Sequence, residues 1–426
     1  MNSELLQQVR VLDPVSGTDQ LADVLITDGV IKAVEPQISD IPADTSVQDC
    51  RGLILGPGLV DLYSHSGEPG YEERETWSSL LEAAAAGGFT RLAVLPNTMP
   101  PLDNPSGLAR SRQQQHKGTE ALASIPQIYH WGALTLGIEG QQMTELAELS
   151  AAGVVGFTDG RSLSNLALVR RLLEYLHPLG KPVALMPSDR QLAGSGVARE
   201  GVPSIRFGLP GNPAIAESAA LAALLEVMGA IGTPVHLMRI STRRSVQLIQ
   251  DAKARGLPVT ASTTWMHLLF NTEDLGSYSP HLRLEPPLGN PVDQAALIQG
   301  VRDDIIDAIA IDHTPYTYEE KTVPFAEAPA GVIGLEFALP LLWQTLVEKG
   351  DWSALELWQR VSTNSAICLQ QTPAAIASGQ LTELVLFNPK ETWKADKYTL
   401  KSLSTNTPYF GQELTGRVVR TWCPRS

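Results

Sequence analysis

LVDLYSHSGEPGYEERETWSSLLEAAAAGGFTRLAVLP, residues 59–96, decides the fold. It opens on an apolar six-residue run, LVDLYS at 59–64, and closes on another, RLAVLP at 91–96. Between them WSSLLEAAAAGG, at 77–88, has helical spacing and ends on glycine, a helix-stop signal. Two runs this far apart cannot form a tight hairpin, so the unit reads as strand, crossover helix, parallel strand. The order repeats downstream, with apolar runs at 125–134, 154–159, 182–187, 234–240, 258–263 and 307–312. Helical stretches such as LALVRRLLEYLHPLG (166–180), AESAALAALLEVMGAIG (216–232) and SVQLIQDAKARG (245–256) lie between them, each closing on glycine. Eight strand–helix units are the count of a closed parallel barrel, whose functional residues gather at the C-terminal ends of its strands.

The ends of the chain read differently. Residues 1–55 alternate short apolar runs with turn pairs at Asp13-Pro14 and Asp28-Gly29, and ELVLFNP (383–389) and GRVVRTW (416–422) mirror them. The predicted architecture is α/β: a (β/α)8 TIM barrel over 56–371, with an accessory β-sandwich built from residues 1–55 and 372–426.

Composition narrows the function. A net charge of −14 disfavours nucleic acid and anionic membrane as partners. Cys50, Cys368 and Cys423 are odd in number and share no CxxC spacing, so neither a disulfide framework nor a thiolate zinc site is expected. The start MNSELLQQVRVL lacks a basic region followed by an apolar stretch, and no apolar run reaches membrane-spanning length. The expected location is the cytoplasm.

GPGLVDLYSHSGEPGYEE (56–73), AAAAGGFT (83–90), LPNTMPPLDNP (95–105) and GLPGNPAIAE (208–217) carry a more specific signal. HLMRIST (236–242), AKARGLPVTA (252–261), AIDHTP (310–315), PFAEAPAGVIGLE (324–336) and NTPYFGQELTGRVV (406–419) continue it in order. Together they resemble the dihydroorotases, within the cyclic amidohydrolases, along essentially the whole chain. The resemblance implies one or two divalent metals at the barrel mouth, which make hydroxide from water and polarise the scissile amide. The implied ligands are a His-x-His pair after strand one, an acidic or carboxylated-lysine bridge after strand four, and histidines after strands five and six. An aspartate after strand eight is both ligand and proton shuttle. An arginine after His-x-His and an asparagine after strand two hold the substrate carboxylate.

Mapped onto this sequence, most of that set is replaced. Tyr63 stands at the first histidine, His65 keeps the second, and Gly67 takes the place of the substrate arginine. Asn97 is retained as the substrate-binding asparagine. Asp159 stands where related sequences often carry two aspartates, and it represents one or the other. Met186 or Pro187 occupies the histidine position after strand five. Arg239 occupies the one after strand six. Asp312 keeps the catalytic aspartate. Trp265 and Met266 precede His267 in place of a Pro-His-His pattern, Glu285 stands at a typical asparagine, and Gly289 at a typical arginine.

Zinc needs three or four donors in tight geometry. Arginine stays protonated and offers no lone pair. His65, Asp159 and Asp312 remain as residual ligand positions, so no cofactor is expected. Arg239 is expected to substitute for the lost cation by pairing with Asp312 or Asp159, with a structural ion pair the simpler reading than a catalytic one. His236 is expected to face away from the mouth and pack in the core. Asn97 either caps a loop or touches substrate, and Tyr63 and Trp265 fill vacated space.

The leading functional reading is a dihydroorotase-like pseudoenzyme of pyrimidine biosynthesis, a non-catalytic structural partner of aspartate carbamoyltransferase, and a homo-oligomer. The alternative is an active cyclic amide hydrolase with a reduced zinc site on His65, Asp159 and Asp312. A third reading keeps the barrel as a binding or self-assembly protein.

Overall fold

The computed structural model describes residues 3–119 and 125–424. The eight expected strands form the barrel: Leu59–Ser64, Phe89–Val94, Gln127–Gly132, Gly156–Phe157, Ala184–Leu185, Val235–Leu237, Val259–Thr264 and Ala308–Ala310. The first four and the last four pair in parallel, and a bridge from Phe157 to Val183 joins the two groups. Several ladders are shorter than their apolar runs. The fourth and fifth strands keep two residues each.

Strand alternation sorts the residues. Val60, Leu62, Ala93, Leu95, Ala184, Met186, Met238, Ala308 and Ala310 fill the barrel interior. Leu59, Leu92, Val94, Val183, Leu185, Val235, Leu237 and Ile309 face the surrounding helices. The seam between the eighth and first strands is closed partly by a side chain. Buried Asp61 accepts Ile311 N–H through Oδ1 at 2.8 Å and the Ser64 hydroxyl through Oδ2 at 2.5 Å. His65 N–H donates to the His313 carbonyl at 2.8 Å beside it. Burial pushes the Asp61 carboxyl up to about 7.

The crossover helices end as their glycines imply. Ile215–Ile231 stops at Gly232 with φ +80°, and Gly180 and Gly256 sit at +62° and +76° just past their helices. No helix among the described residues is long and apolar enough to cross a membrane.

Both chain ends meet in the accessory domain. Strands Ser3–Asp13, Thr18–Thr27, Val30–Glu35, Ser46–Asp49, Ile54–Pro57, Leu384–Lys394 and Glu413–Trp422 form one continuous ladder. The ladder curls over its own core, in which Leu6, Val24, Ile31, Leu55, Leu384 and Trp422 meet, and so gives the sandwich. Asp28 and Gly29, at φ +50° and +77°, make the tight turn between the second and third strands. Ile54–Pro57 pairs with both chain ends and runs directly into the barrel, two residues past the expected boundary at 55. Farther on, the loop between the last two strands returns to the mouth. Asn406 there donates to the carbonyls of Thr314 and Gly331 and accepts Tyr316 N–H.

Candidate active site at the barrel mouth

A cavity of about 400 Å³ opens at the C-terminal ends of the strands, with His65, Asn97, Met186, Arg239, His267, Glu285 and Asp312 on its wall. Its centre is an ion pair. Arg239 donates Nε–H to Asp312 Oδ2 at 2.7 Å and Nη2–H to Oδ1 at 2.6 Å, a bidentate fork. Both side chains are largely withdrawn from water, at 7% and 17% exposure. Burial alone would lower the Arg239 pKa, but the charge and hydrogen bonds of Asp312 raise it above its ordinary value. Burial likewise favours a neutral Asp312, yet Arg239 and His65 hold its carboxyl well below the usual range. The pair is ionised at any working pH.

Backbone geometry brings the two residues together. Arg239 and Asp312, each just past its strand, both adopt the left-handed conformation, with φ +55° and +53°. Such geometry is uncommon for residues other than glycine and persists where its surroundings over-determine it. Arg239 is also held from below, since Tyr63 Oη accepts its backbone N–H at 3.1 Å. Tyr63 Oη lies 2.8 Å from Ser262 Oγ, which lies 2.8 Å from His236 Nε2, and His236 Nδ1 meets Thr260 Oγ1 at 2.9 Å. Tyr63 therefore does more than occupy vacated space. Nη1 of Arg239 completes the cage, donating to the Gly160 carbonyl at 2.9 Å and contacting Met186 sulfur at 3.6 Å.

Several sequence expectations change. His236 is buried as a core residue and does not line the mouth cavity, as expected, but it packs on Ser262 and Thr260 beneath Tyr63. Burial takes its imidazole down to about 3, which leaves it neutral. Asp159 does not reach Arg239. Its oxygens accept Leu134 N–H, Thr135 N–H and the Thr135 hydroxyl at 2.8, 3.0 and 2.5 Å, so it organises the loop after the third strand. Met186 rather than Pro187 lines the mouth at the fifth strand, and Pro187 lines a neighbouring cavity.

Asn97 neither caps a loop nor stands free. Its amide Nδ2 lies 2.6 Å from His65 Nδ1, and the other ring nitrogen, Nε2, faces the ion pair. That Nε2 sits 3.7 Å from Asp312 Oδ1 and 3.4 Å from Arg239 Nη2. Burial first, and Arg239 as well, lower the His65 pKa despite the Asp312 carboxylate.

The two positions where the resemblance expects arginine are closed by packing. A Cβ at Gly67 would overlap the backbone carbonyl oxygens of Tyr71 and Glu75, and one at Gly289 would press on Asp293 and the Ser241 carbonyl. Neither glycine leaves room for a side chain without backbone movement. Sequence reading also passed over Arg161 and Arg190, which line this mouth, and Asp61 beneath it. It passed over Arg199 and Arg283 as well, which line the neighbouring cavity.

No group of three His, Cys, Asp or Glu side chains converges as a metal site among the described residues. Of the residual ligand positions, His65 and Asp312 come together, but both Asp312 oxygens are engaged by Arg239 and Asp159 points elsewhere.

This is the frame of a cyclic amidohydrolase, a (β/α)8 barrel with a polar site at its mouth and an accessory β-sandwich. An L-hydantoinase (dihydropyrimidinase) from Arthrobacter aurescens superposes on it with a TM-score of 0.85 at 20% identity, covering 99% of this chain and 94% of the other. A D-hydantoinase (dihydropyrimidinase) from Thermus sp. does so at 0.80 and 20%, with the same coverage. The sequence comparisons are narrower. Residues 52–245 match the family described as dihydro-orotase-like. A dihydroorotase-like protein of Synechocystis sp. is 44% identical over 98% of this chain and 99% of its own. A dihydroorotase of Pelobacter propionicus is 37% identical over 98% and 97%. The chain belongs to the dihydroorotase-like family.

Proposed function

We propose that this chain is a non-catalytic dihydroorotase-like protein of pyrimidine biosynthesis, a cytoplasmic structural partner of aspartate carbamoyltransferase. The observation that carries the loss of catalysis is the Arg239–Asp312 fork. The aspartate implied as metal ligand and proton shuttle has both oxygens engaged by a permanent cation, which competes with a metal for them and holds the carboxylate deprotonated. Tyr63, Met186 and Arg239 supply no hard-cation donor in place of three histidines. His65 keeps one imidazole nitrogen toward the mouth, which is too little for zinc. The residues present do not fit the metal.

The partner rests on the family resemblance, since some dihydroorotase-like chains, active or degenerate, assemble with aspartate carbamoyltransferase. Three measurements test the proposal: metal content per chain, ring opening of dihydroorotate, and size-exclusion chromatography with light scattering of this chain alone and mixed with the carbamoyltransferase. The expected result is no stoichiometric metal, no turnover and a joint peak. Turnover abolished by a chelator and by Asp312→Ala would overturn the loss of catalysis. Unchanged elution on mixing would overturn the partnership.

A further inference from the structure

A second cavity, of about 260 Å³, adjoins the mouth and shares Arg190 and Glu285 with it. Its walls come from the loop after the fifth strand and from Arg283–Pro287, and Arg190, Arg199 and Arg283 all reach it. Neither Gly67 nor Asn97 lines it. Arg199 is 1% exposed, and its Nη2 donates to Ser241 Oγ at 2.7 Å. The buried Nε atoms of Arg199 and Arg283 have no hydrogen-bond partner among the described residues. A buried donor left unmade is costly, more so on a charged group. Glu217, 3.8 Å from Arg199, accounts for that cation in part, although its own oxygens already accept from Ser241 and Thr242. Neither Arg190 nor Arg283 forms a salt bridge among the described residues, although Glu285 on the same wall acts on the Arg283 charge and Arg283 Nη1 donates to the Leu284 carbonyl at 2.8 Å. In a chain carrying a net charge of −14, six arginines face these two adjoining cavities against three carboxylates. A cleft lined by one sign of charge concentrates the opposite ion.

We propose that this side cavity binds the carboxylate or phosphate group of a small metabolite whose remainder extends into the barrel mouth. Arg190 and Arg283 supply charge that no salt bridge takes up among the described residues, and Arg199 supplies a fixed, buried donor set at the back wall. The barrel thereby keeps a ligand site whether or not it hydrolyses anything, so the inference goes beyond the proposed function and does not depend on it.

The test is calorimetric titration of the full-length protein with inorganic phosphate and with malate, at constant ionic strength. Saturable binding of either anion is expected, phosphate alone pointing to a phosphorylated ligand and malate alone to a carboxylate. Arg283→Gln should weaken it about tenfold or more, as loss of a charge-assisted hydrogen bond does. Arg190→Gln, at an exposed position that folding tolerates, should weaken it in the same direction, and Arg170→Gln, which lines neither cavity, should leave it unchanged. Absence of saturation by about 10 mM of both anions, or equal affinity in Arg190→Gln and the parent, would overturn the proposal.

Discussion

Replacing Arg239 by methionine isolates the ion pair at the mouth. Methionine is flexible and apolar, so it fills much of the same space while removing the charge and both bonds to Asp312. What remains is a carboxylate with 17% of its side chain exposed and His65 as its nearest partner. Breaking a largely buried pair by deleting one member costs about 3–5 kcal/mol, because the other charge is left uncompensated. For a chain of this length the entropy of unfolding makes that a fall of about 3–6 °C in Tm. The pH dependence has a definite sign. In the parent protein Asp312 is depressed below its unfolded value. Its contribution is therefore complete above about pH 4 and is lost only in stronger acid. Without Arg239, burial dominates and raises the Asp312 pKa, so the orphaned carboxylate takes up a proton as pH falls. The stability deficit of Arg239→Met should accordingly be smaller at pH 5 than at pH 8. The double variant Arg239→Met/Asp312→Leu should recover most of the loss, since an apolar pair of similar volume often matches a buried ion pair. Denaturant melts of the three proteins at both pH values measure all of this. A single variant as stable as the parent at pH 8, or a double variant no better than the single, would refute the pairing argument.

Two further outcomes follow from the same geometry. The triple variant Tyr63→His/Met186→His/Arg239→His restores imidazoles around His65 and Asp312, and it should bind about one zinc per chain, with a melting temperature that rises on zinc addition; metal analysis after dialysis checks it. Asp61 titrates near 7 in the fold against about 4 unfolded, so between those values the unfolded state loses its proton first and stability falls as pH rises, by an amount of order 4 kcal/mol. Asp61→Asn should flatten that slope in denaturant melts between pH 4 and 7, and an unchanged slope would assign it to other groups, Glu336 first, whose carboxyl burial also pushes up to about 7.

The order of strands and helices was legible in residues 59–312 because a parallel barrel writes its period into the chain: eight apolar runs with helical stretches between them, several closing on glycine. The loss of metal donors was legible too, since Arg239, Tyr63 and Met186 can be read against known ligand positions one at a time, and no fold supplies a lone pair to a guanidinium. Tertiary structure decided which residues meet. Asp159 and Asp312 are equivalent as letters, but only Asp312 sits at a left-handed strand end opposite Arg239, while Asp159 is spent on Leu134 and Thr135. Asn97 reaches His65 rather than open solvent, and His236 packs on Ser262 and Thr260 beneath Tyr63. The closure of positions 67 and 289, and the gathering of Arg190, Arg199 and Arg283 around one cavity, depend on chain segments far apart in sequence. Chemical identity is a property of each residue and can be read locally. Proximity is a property of the packed whole, and only the closed barrel supplies it.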